Sequence, residues 1–345
     1  MMACVFCADA AHAAGHIVVY PAEQHTETKL LELMPATGAP FGRQDYGALL
    51  FPTHFFCENH VRLGAELTPQ QLSDTVIVDI AGTAPSPADV RRARSLQTLM
   101  NEIRGHWLVE LLDHGRFYSV GQPIVDRSGN PFAHEMLMRG MDVHGNAVLP
   151  GRMLEAAATT SLRARLDQAA RLAAIRTGAR IPADGAIFIN FLPSSVYDTR
   201  FSLKDTFAAV RDAGFDPKRI VFEVVETDKI TDFEYLRALI DQFRGEGFAI
   251  ALDDFGTGFN NIEAVIRLRP EYIKLDKLLV MDAVEDAMKS QFVLETVSIA
   301  QLNGIKTIAE GIEDQRTLDH IRKLGADYFQ GYHLGRPAPI GQKDT

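Results

Sequence analysis

The chain has 345 residues, of which 46% are hydrophobic and 23% charged, enough for one large soluble domain plus a smaller one. Its formal net charge of −10 argues against DNA, RNA or anionic membrane as partner, since each needs a basic face. The opening MMACVFCADAAHAAGH lacks the basic and apolar regions of a secretory signal, and no stretch approaches the ~18 apolar residues of a membrane span, so a cytoplasmic protein is expected.

Residues 1–85 carry all the cysteines and several histidines: His12, His16, His25, His54 and His60. In a reducing compartment the cysteines are expected to be metal ligands or buried thiols, not disulfides. Cys4-x-x-Cys7 and Cys57-x-x-His60 each have the spacing of half a tetrahedral zinc site. The competing reading is two idle, buried cysteines and a surface histidine. Short strand-like runs (HIVVY, GALLFP, TVIVDIAG) complete a small α+β domain, sensory or partner-binding, with zinc as its candidate structural metal. The segment AGTAPSPAD then reads as a linker leading into a connecting helix over residues 86–115. Ser86 is its cap, Pro87 its first residue and Asp89 lies in its first turn.

From Phe117 the pattern changes. FYSVGQPIVD and FAHEMLMR flank the polar turn Arg127–Pro131, a hairpin signal that makes these two strands antiparallel. A helical region near Arg152–Thr177 follows. The apolar runs AIFINF, IVFEVVE, FAIALDDF, YIKLD, KTIAEG and DYFQGY come next, most of them separated by helical patterns such as Phe233–Arg244, Ala283–Leu302 and Asp314–Leu324. Strands joined mostly by helices in this rhythm predict, over residues 116–345, a modified (β/α)8 TIM-like barrel with one antiparallel strand. An open doubly wound sheet is the alternative, but no glycine-rich phosphate loop follows the first strand.

Polar residues close these apolar runs. They are Glu135 and Arg139, Asn190, Glu223 and Glu226, Asp253 and Asp254, Lys274, Glu310 and Gln330. At the mouth of a barrel the carboxylates would crowd one cavity and could not all stay ionised without cations. Magnesium or manganese suits such oxygen donors, and a pair of ions suits in-line displacement at phosphorus. Lys274 inside an apolar strand needs negative charge beside it.

These motifs, with GQPIVD, DDFGTGF, TIAEGIE and FQGYHLGRP, resemble the EAL family of cyclic di-GMP phosphodiesterases over Phe117–Pro339. The resemblance implies metal-dependent hydrolysis of cyclic di-GMP to linear 5'-pGpG, regulated by the N-terminal domain, with two Mg2+ or Mn2+ ions per site. It implies Glu135, Asn190, Glu223 and Asp253 as ligands of the first ion. Asp253 would bridge to the second, completed by Asp254 and Glu310. Lys274 would orient or activate the attacking water, Gln122 and Arg139 would contact the substrate, and Gln330 would lie close to it. Glu226 would brace the loop 254–261 beside a homodimer interface. The alternative function is a non-catalytic cyclic di-GMP receptor, which would be expected to have lost ligands that are all present here. The sequence departs from the family at Met136, Val225, Asn260 and Asn261. Strand alternation turns Met136 away from the side Glu135 faces, so these departures bear on loop hydrogen bonding and activity level, not on ligands.

Overall fold

Period-two alternation of apolar residues builds two separate sheets in the computed structural model, which describes residues 15–33, 42–44, 47–82, 84–182, 185–196, 203–225, 233–256 and 262–340. The chain divides into two units: the first runs to His114 and includes Arg152–Leu162, and the second is the remainder.

In the first unit, β1 (His16–Tyr20), β2 (Gly42–Arg43), β3 (Leu49–Pro52), β4 (Val76–Ile80) and β5 (Arg94–Ser95) form an antiparallel sheet in the order β2-β3-β1-β4-β5. Ile17, Val19, Leu49, Phe51 and Ile77 face one way and join a core with side chains of α1 (Gln24–Glu32), α2 (Thr53–Glu66) and α3 (Pro69–Asp74). Val18, Leu50, Val78 and Ile80 face the other way and are also buried.

The helix expected from Ser86 to Gly115 is broken in two. Ser86 does cap, in a reciprocal box with Asp89, but α4 (Pro87–Val90) lasts a single turn. The chain then pairs with β4 through Arg94 and Ser95, and Arg94 forms ion pairs with Asp79 and Glu102. Ser95 caps a new helix, α5 (Leu96–Asp113), by accepting from the Thr98 amide at 3.2 Å. Leu96, Leu99, Met100 and Ile103 of α5 sit in the core of this unit. Non-local pairing of Arg94 overrides the helix propensity of its neighbours, which sequence periodicity could not register.

In the second unit, β6 (Phe117–Asp126) and β7 (Pro131–Met141) form the expected hairpin, with Asp126 Oδ1 accepting from the Ser128 and Asn130 amides in its turn. A short β8 (Ala147–Val148) extends β7 outward. The expected helical region is two helices, α6 (Pro150–Ala158), most of which belongs to the first unit, and α7 (Arg163–Gly178) of the second. There follow β9 (Ala186–Phe191), α8 (Leu203–Asp212), β10 (Ile220–Val224), α9 (Phe233–Gly245), β11 (Ala249–Phe255) and α10 (Ile262–Leu268). The chain continues as β12 (Tyr272–Leu275), α11 (Lys277–Asp282), α12 (Ala287–Leu302), β13 (Lys306–Ala309), α13 (Gln315–Leu324) and β14 (Tyr328–Gln330). Strand β6 pairs antiparallel with both β7 and β14 and closes the ring, while β7 and β9 to β14 run parallel. This is a TIM-like barrel with its first strand reversed, as expected. Among the described residues no helix is long and apolar enough to cross a membrane.

The outward faces of the strands pack under the helices; Met136, Ile189, Phe222, Ile250 and Phe329 belong to that core. The inward faces stack in layers. Ile124, Ala133, Phe188, Val221, Ala251 and Ile308, with Tyr272 and Tyr328 against them, fill the lower interior. Two residues further toward the mouth on each strand, the inward position is polar. Two glycines let the loops above this layer approach one another. A Cβ on Gly331 would meet the Ile312 carbonyl oxygen at 2.0 Å and its amide at 2.3 Å, and one on Gly311 would meet Lys277 Cβ at 2.5 Å. The Ile312 amide donates to the Gln330 carbonyl at 3.0 Å, so this contact also fixes the end of β14. We therefore expect Gly331→Ala to lower stability by about 2 kcal/mol, because backbone must move to admit the methyl group. Thermal unfolding checks this; an unchanged midpoint would show that the two loops yield freely.

Candidate active site

The polar layer takes one side chain from each barrel strand: Gln122, Glu135, Asn190, Glu223, Asp253, Lys274, Glu310 and Gln330. Each stands two residues from an inward-facing residue of the layer below, the spacing that keeps side chains on one face of a strand. Glu310 stands just past the last residue of β13, its amide bonded to the Leu275 carbonyl at 3.2 Å. A cavity of about 390 Å3 opens above them, lined by Gln122, Glu135, Asp253, Asp254, Lys274, Glu310 and Gln330 among others.

Lys274 is the centre of this layer. Its side chain is 1% exposed, and its Nζ lies 2.7 Å from Glu310 Oε1, 2.9 Å from Glu223 Oε1, 3.1 Å from Asp253 Oδ1 and 3.6 Å from Glu135 Oε2. Burial works against its charge, but Asp253, Glu135, Glu223 and Glu310 outweigh burial and hold the ammonium well above the ordinary lysine value. The acids respond unequally. Burial pushes the Glu223 carboxyl far up, with Glu135 and Asp253 adding to the effect and Lys274 opposing it. Burial likewise pushes Glu310 up to about 8. Burial also disfavours charge on Glu135, yet Lys274, Gln330 and Asn190 together hold it below the usual carboxylate value.

Hydrogen bonds orient the rest. Asn190 Nδ2 donates to Glu135 Oε1 at 3.1 Å, and Gln330 Nε2 donates to Glu135 Oε2 at 2.6 Å. Gln330 Nε2 also lies 3.3 Å from Gln122 Oε1, and Gln122 Nε2 donates to the Gly335 carbonyl at 3.2 Å. Met136 is 3% exposed and packs outward in the core, so Glu135 keeps its inward direction as the alternation argument required.

Asp253 and Asp254 pose a geometric problem, because adjacent strand residues face opposite ways. The solution is a register shift between Leu252 and Phe255 against β12, with Asp254 in the left-handed region at φ 49°. Aspartate tolerates that conformation better than most residues. Both carboxylates thereby line the cavity, and oxygens of Asp253, Asp254 and Glu310 lie within 4.8 Å of one another. The sequence marked the pair as anomalous but carried no sign of the bulge that reconciles them.

The donor set suits hard divalent cations. All candidate ligands offer oxygen, and Glu223 Oε2 is buried with no hydrogen-bond partner among the described residues. Five carboxylates against one ammonium leave four negative charges at full ionisation, the amount that two divalent ions neutralise.

Other expected residues fall outside this cluster. Arg139 lies four residues beyond Glu135 on the same face of β7; its Nη1 donates to the Met138 carbonyl at 2.8 Å, and it is not among the residues lining the cavity. Glu226, Asn260 and Asn261 are outside the described residues, as are Cys4 and Cys7. The zinc expectation needs correction at Cys57. That residue is buried on α2 and disulfide-bonded, so its sulfur is not the thiolate a zinc ion requires, and the expectation of undisulfided cysteines fails with it. His60 Nδ1 lies 2.7 Å from the Cys57 carbonyl, an ordinary contact within one helical turn. Conversely, Lys277, Glu313 and Tyr332 line the cavity without having been singled out. Glu313 and Tyr332 lie inside TIAEGIE and FQGYHLGRP, and Lys277 directly follows YIKLD, so their motifs were the available signal.

Known proteins share this architecture. The chain is 29% identical over 245 residues to a probable cyclic di-GMP phosphodiesterase, PdeA of Escherichia coli, an alignment covering 70% of this chain and 32% of that protein. It is 29% identical over 211 residues to the cyclic di-GMP phosphodiesterase PdeB of Shewanella oneidensis, covering 60% of this chain and 24% of that one. The chain thus spans about a third or less of either relative's length. Among solved structures, the MucR phosphodiesterase in complex with c-di-GMP matches 71% of this chain and 98% of its own, with a TM-score of 0.62 and 24% identity. The FimX EAL domain of Pseudomonas aeruginosa bound to c-di-GMP matches 69% and 98%, also with a TM-score of 0.62, at 23% identity. At those identities the structures speak to the fold. The family model for the EAL domain matches residues 106–337, about two-thirds of the chain, and with the barrel and its polar layer in place the chain belongs to the EAL-domain family.

Proposed function

We propose that this chain is a metal-dependent phosphodiesterase that hydrolyses cyclic di-GMP to linear 5'-pGpG, with the first unit as its regulatory part. The observation that carries the reading is the polar layer itself, in which four carboxylates surround one buried ammonium and a fifth, Asp254, lies beside two of them. Glu135, Asn190, Glu223 and Asp253 would hold one Mg2+ or Mn2+ ion, and Asp253, Asp254 and Glu310 a second. When bound, such a pair activates water and stabilises the charge of an in-line displacement at phosphorus.

The chain's own residues supply the remainder. Lys274, pinned among its carboxylates, keeps its proton and presents a fixed donor for orienting the attacking water. Gln122 and Gln330 crosslink β6 and β14 beside Glu135, and Gln330 Oε1 is a buried acceptor without a hydrogen-bond partner among the described residues. Both contact substrate in this reading. Arg139 is the phosphate clamp in this reading, swinging from the Met138 carbonyl to a substrate oxygen. Glu226 is assigned as the brace of the loop that follows Asp254.

A homodimer through the barrel is part of the same proposal. Ile262 and Ile266 on α10, Leu278 and Met281 on α11, and Met288 and Phe292 on α12 are exposed apolar residues, with Met288 80% and Ile266 67% accessible. A Cβ on Gly256, two residues after Asp254, would meet Leu279 and Phe292, so the start of the metal-side loop abuts this face. Burial of such a patch against a second copy would explain its exposure here.

The decisive assay incubates the full chain with cyclic di-GMP and Mg2+ or Mn2+ and follows linear product by chromatography. Binding without product under either metal would favour the receptor reading. In that assay Glu135→Ala should lose more than about 100-fold in turnover, since even partners of metal ligands cost 10–100-fold; near wild-type turnover would remove Glu135 from the ligand set.

The pH dependence follows from the acids. Glu310, raised to about 8, keeps in the metal-free folded protein a proton that the unfolded chain releases near 4.5. Stability without metal should therefore fall as pH rises from about 5 toward 8. Glu135, lowered from 4.5, is already ionised throughout that window and adds no slope. Bound metal needs Glu310 deprotonated, so the stabilisation by Mn2+ should grow over the same range. Thermal midpoints at pH 5.5 and 8 in chelator and in Mn2+ check both signs; a chelator curve rising with pH would contradict the assignment. For the dimer, Ile266→Glu should shift the light-scattering mass toward that of one chain, and a wild type that is already monomeric would refute the interface.

A further inference from the structure

We propose that Asp167 and Arg171 are positioning residues for Asn190, a buried clamp that fixes the end of β9 and through it the amide partner of Glu135. Its consequence for metal binding rests on the two-metal reading above; the positioning itself does not.

Arg171 is 0% exposed, which is unusual for the most strongly hydrated class of side chain. It lies one helical turn from Asp167 on α7, and the two form an ion pair. Most of their remaining bonds fall on the few residues that follow Asn190. The Leu192 amide donates to Asp167 Oδ1 at 3.1 Å, and the Ser195 hydroxyl donates to Asp167 Oδ2 at 2.5 Å. Arg171 Nη1 reaches the Ser195 hydroxyl at 3.4 Å, its Nε donates to Thr206 Oγ1 of α8 at 3.2 Å, and its guanidinium lies 5.4 Å from the centre of the Phe191 ring. Phe191, Leu192 and Ser195 are thus each held from behind the barrel wall, while Asn190 points through it to Glu135.

Stability alone does not account for this arrangement. A buried ion pair returns little net stability over apolar residues of similar volume, which would hold α7 against the barrel as well. Apolar residues cannot hold the Leu192 amide and the Ser195 hydroxyl at set distances. The pair therefore acts on the path of the chain leaving β9. That path sets the angle at which Asn190 meets Glu135 Oε1, and an error of about 1 Å there would weaken any site built on both.

The test compares wild type with Arg171→Lys and with the double variant Asp167→Leu/Arg171→Met, all as the full chain. Asparagine-selective 15N labelling follows the Asn190 side-chain amide in metal-free protein, its signal assigned with Asn190→Ser. We expect the double variant to keep a thermal midpoint near wild type while the Asn190 signal moves or broadens, with a smaller change in Arg171→Lys, which keeps the charge but not the planar fork. Mn2+ titration should then show about tenfold or greater weakening in the double variant. A folded double variant whose Asn190 signal is unchanged overturns the proposal, whatever the metal does. Should the double variant unfold, the same signal in Arg171→Lys decides. A wild type that binds no Mn2+ would count against the metal reading alone, leaving the positioning to be judged by the amide signal.

Discussion

The barrel depends on keeping one ammonium buried at its centre. Lys274 is almost wholly removed from water, a state that costs several kcal/mol unless opposite charge lies close by. The carboxylates around it have the converse difficulty: together without a cation they repel, and burial raises Glu223 and Glu310. Lysine and acids therefore make one another tolerable, and each needs the register of its own strand to reach the others. Because the layer below is apolar and closely packed, the charges have no route to solvent through the barrel floor. Among the described residues the cavity opens at the mouth, above the polar layer.

A metal-free layer of this kind is a compromise. Protons on the raised acids substitute for cations, and Lys274 takes up what charge it can. Divalent ions would displace the protons and restore the acceptors. The bulge at Asp253–Asp254 belongs to the same logic. A regular strand would send one aspartate outward beneath the helices, where its charge would be unpaired. The left-handed turn at Asp254 costs on the order of 1 kcal/mol or more, a small penalty beside a buried, uncompensated carboxylate.

Much of this was legible in the residue pattern because a barrel is read one strand at a time. Alternation named the inward positions, and polar residues at the ends of apolar runs named the site; Glu135, Asn190, Glu223, Asp253, Lys274, Glu310 and Gln330 all meet there. What alternation could not express is contact between distant segments. Arg94 leaves a helical stretch to pair with Asp79 and Glu102, and Asp167 with Arg171 reads as a solvated i,i+4 pair until the fold buries it. Cys57 failed for a related reason: a Cys-x-x-His spacing is also that of one helical turn, and the spacing does not reveal where the sulfur goes.

The clamp behind β9 and the bulge in β11 act on the same layer by different means. The bulge re-aims a carboxylate by bending the strand that carries it. The clamp leaves β9 regular and holds Leu192 and Ser195 just beyond it, which sets the angle at which Asn190 meets Glu135. Glu135 is fixed on both oxygens by amides from β9 and β14. Burial disfavours its charge, but the nearby Lys274 ammonium and these two amides together hold its carboxyl below the usual carboxylate range. Glu223 and Glu310 are shifted the opposite way, toward the protonated form, so Glu135 is a natural point at which a first cation would be captured.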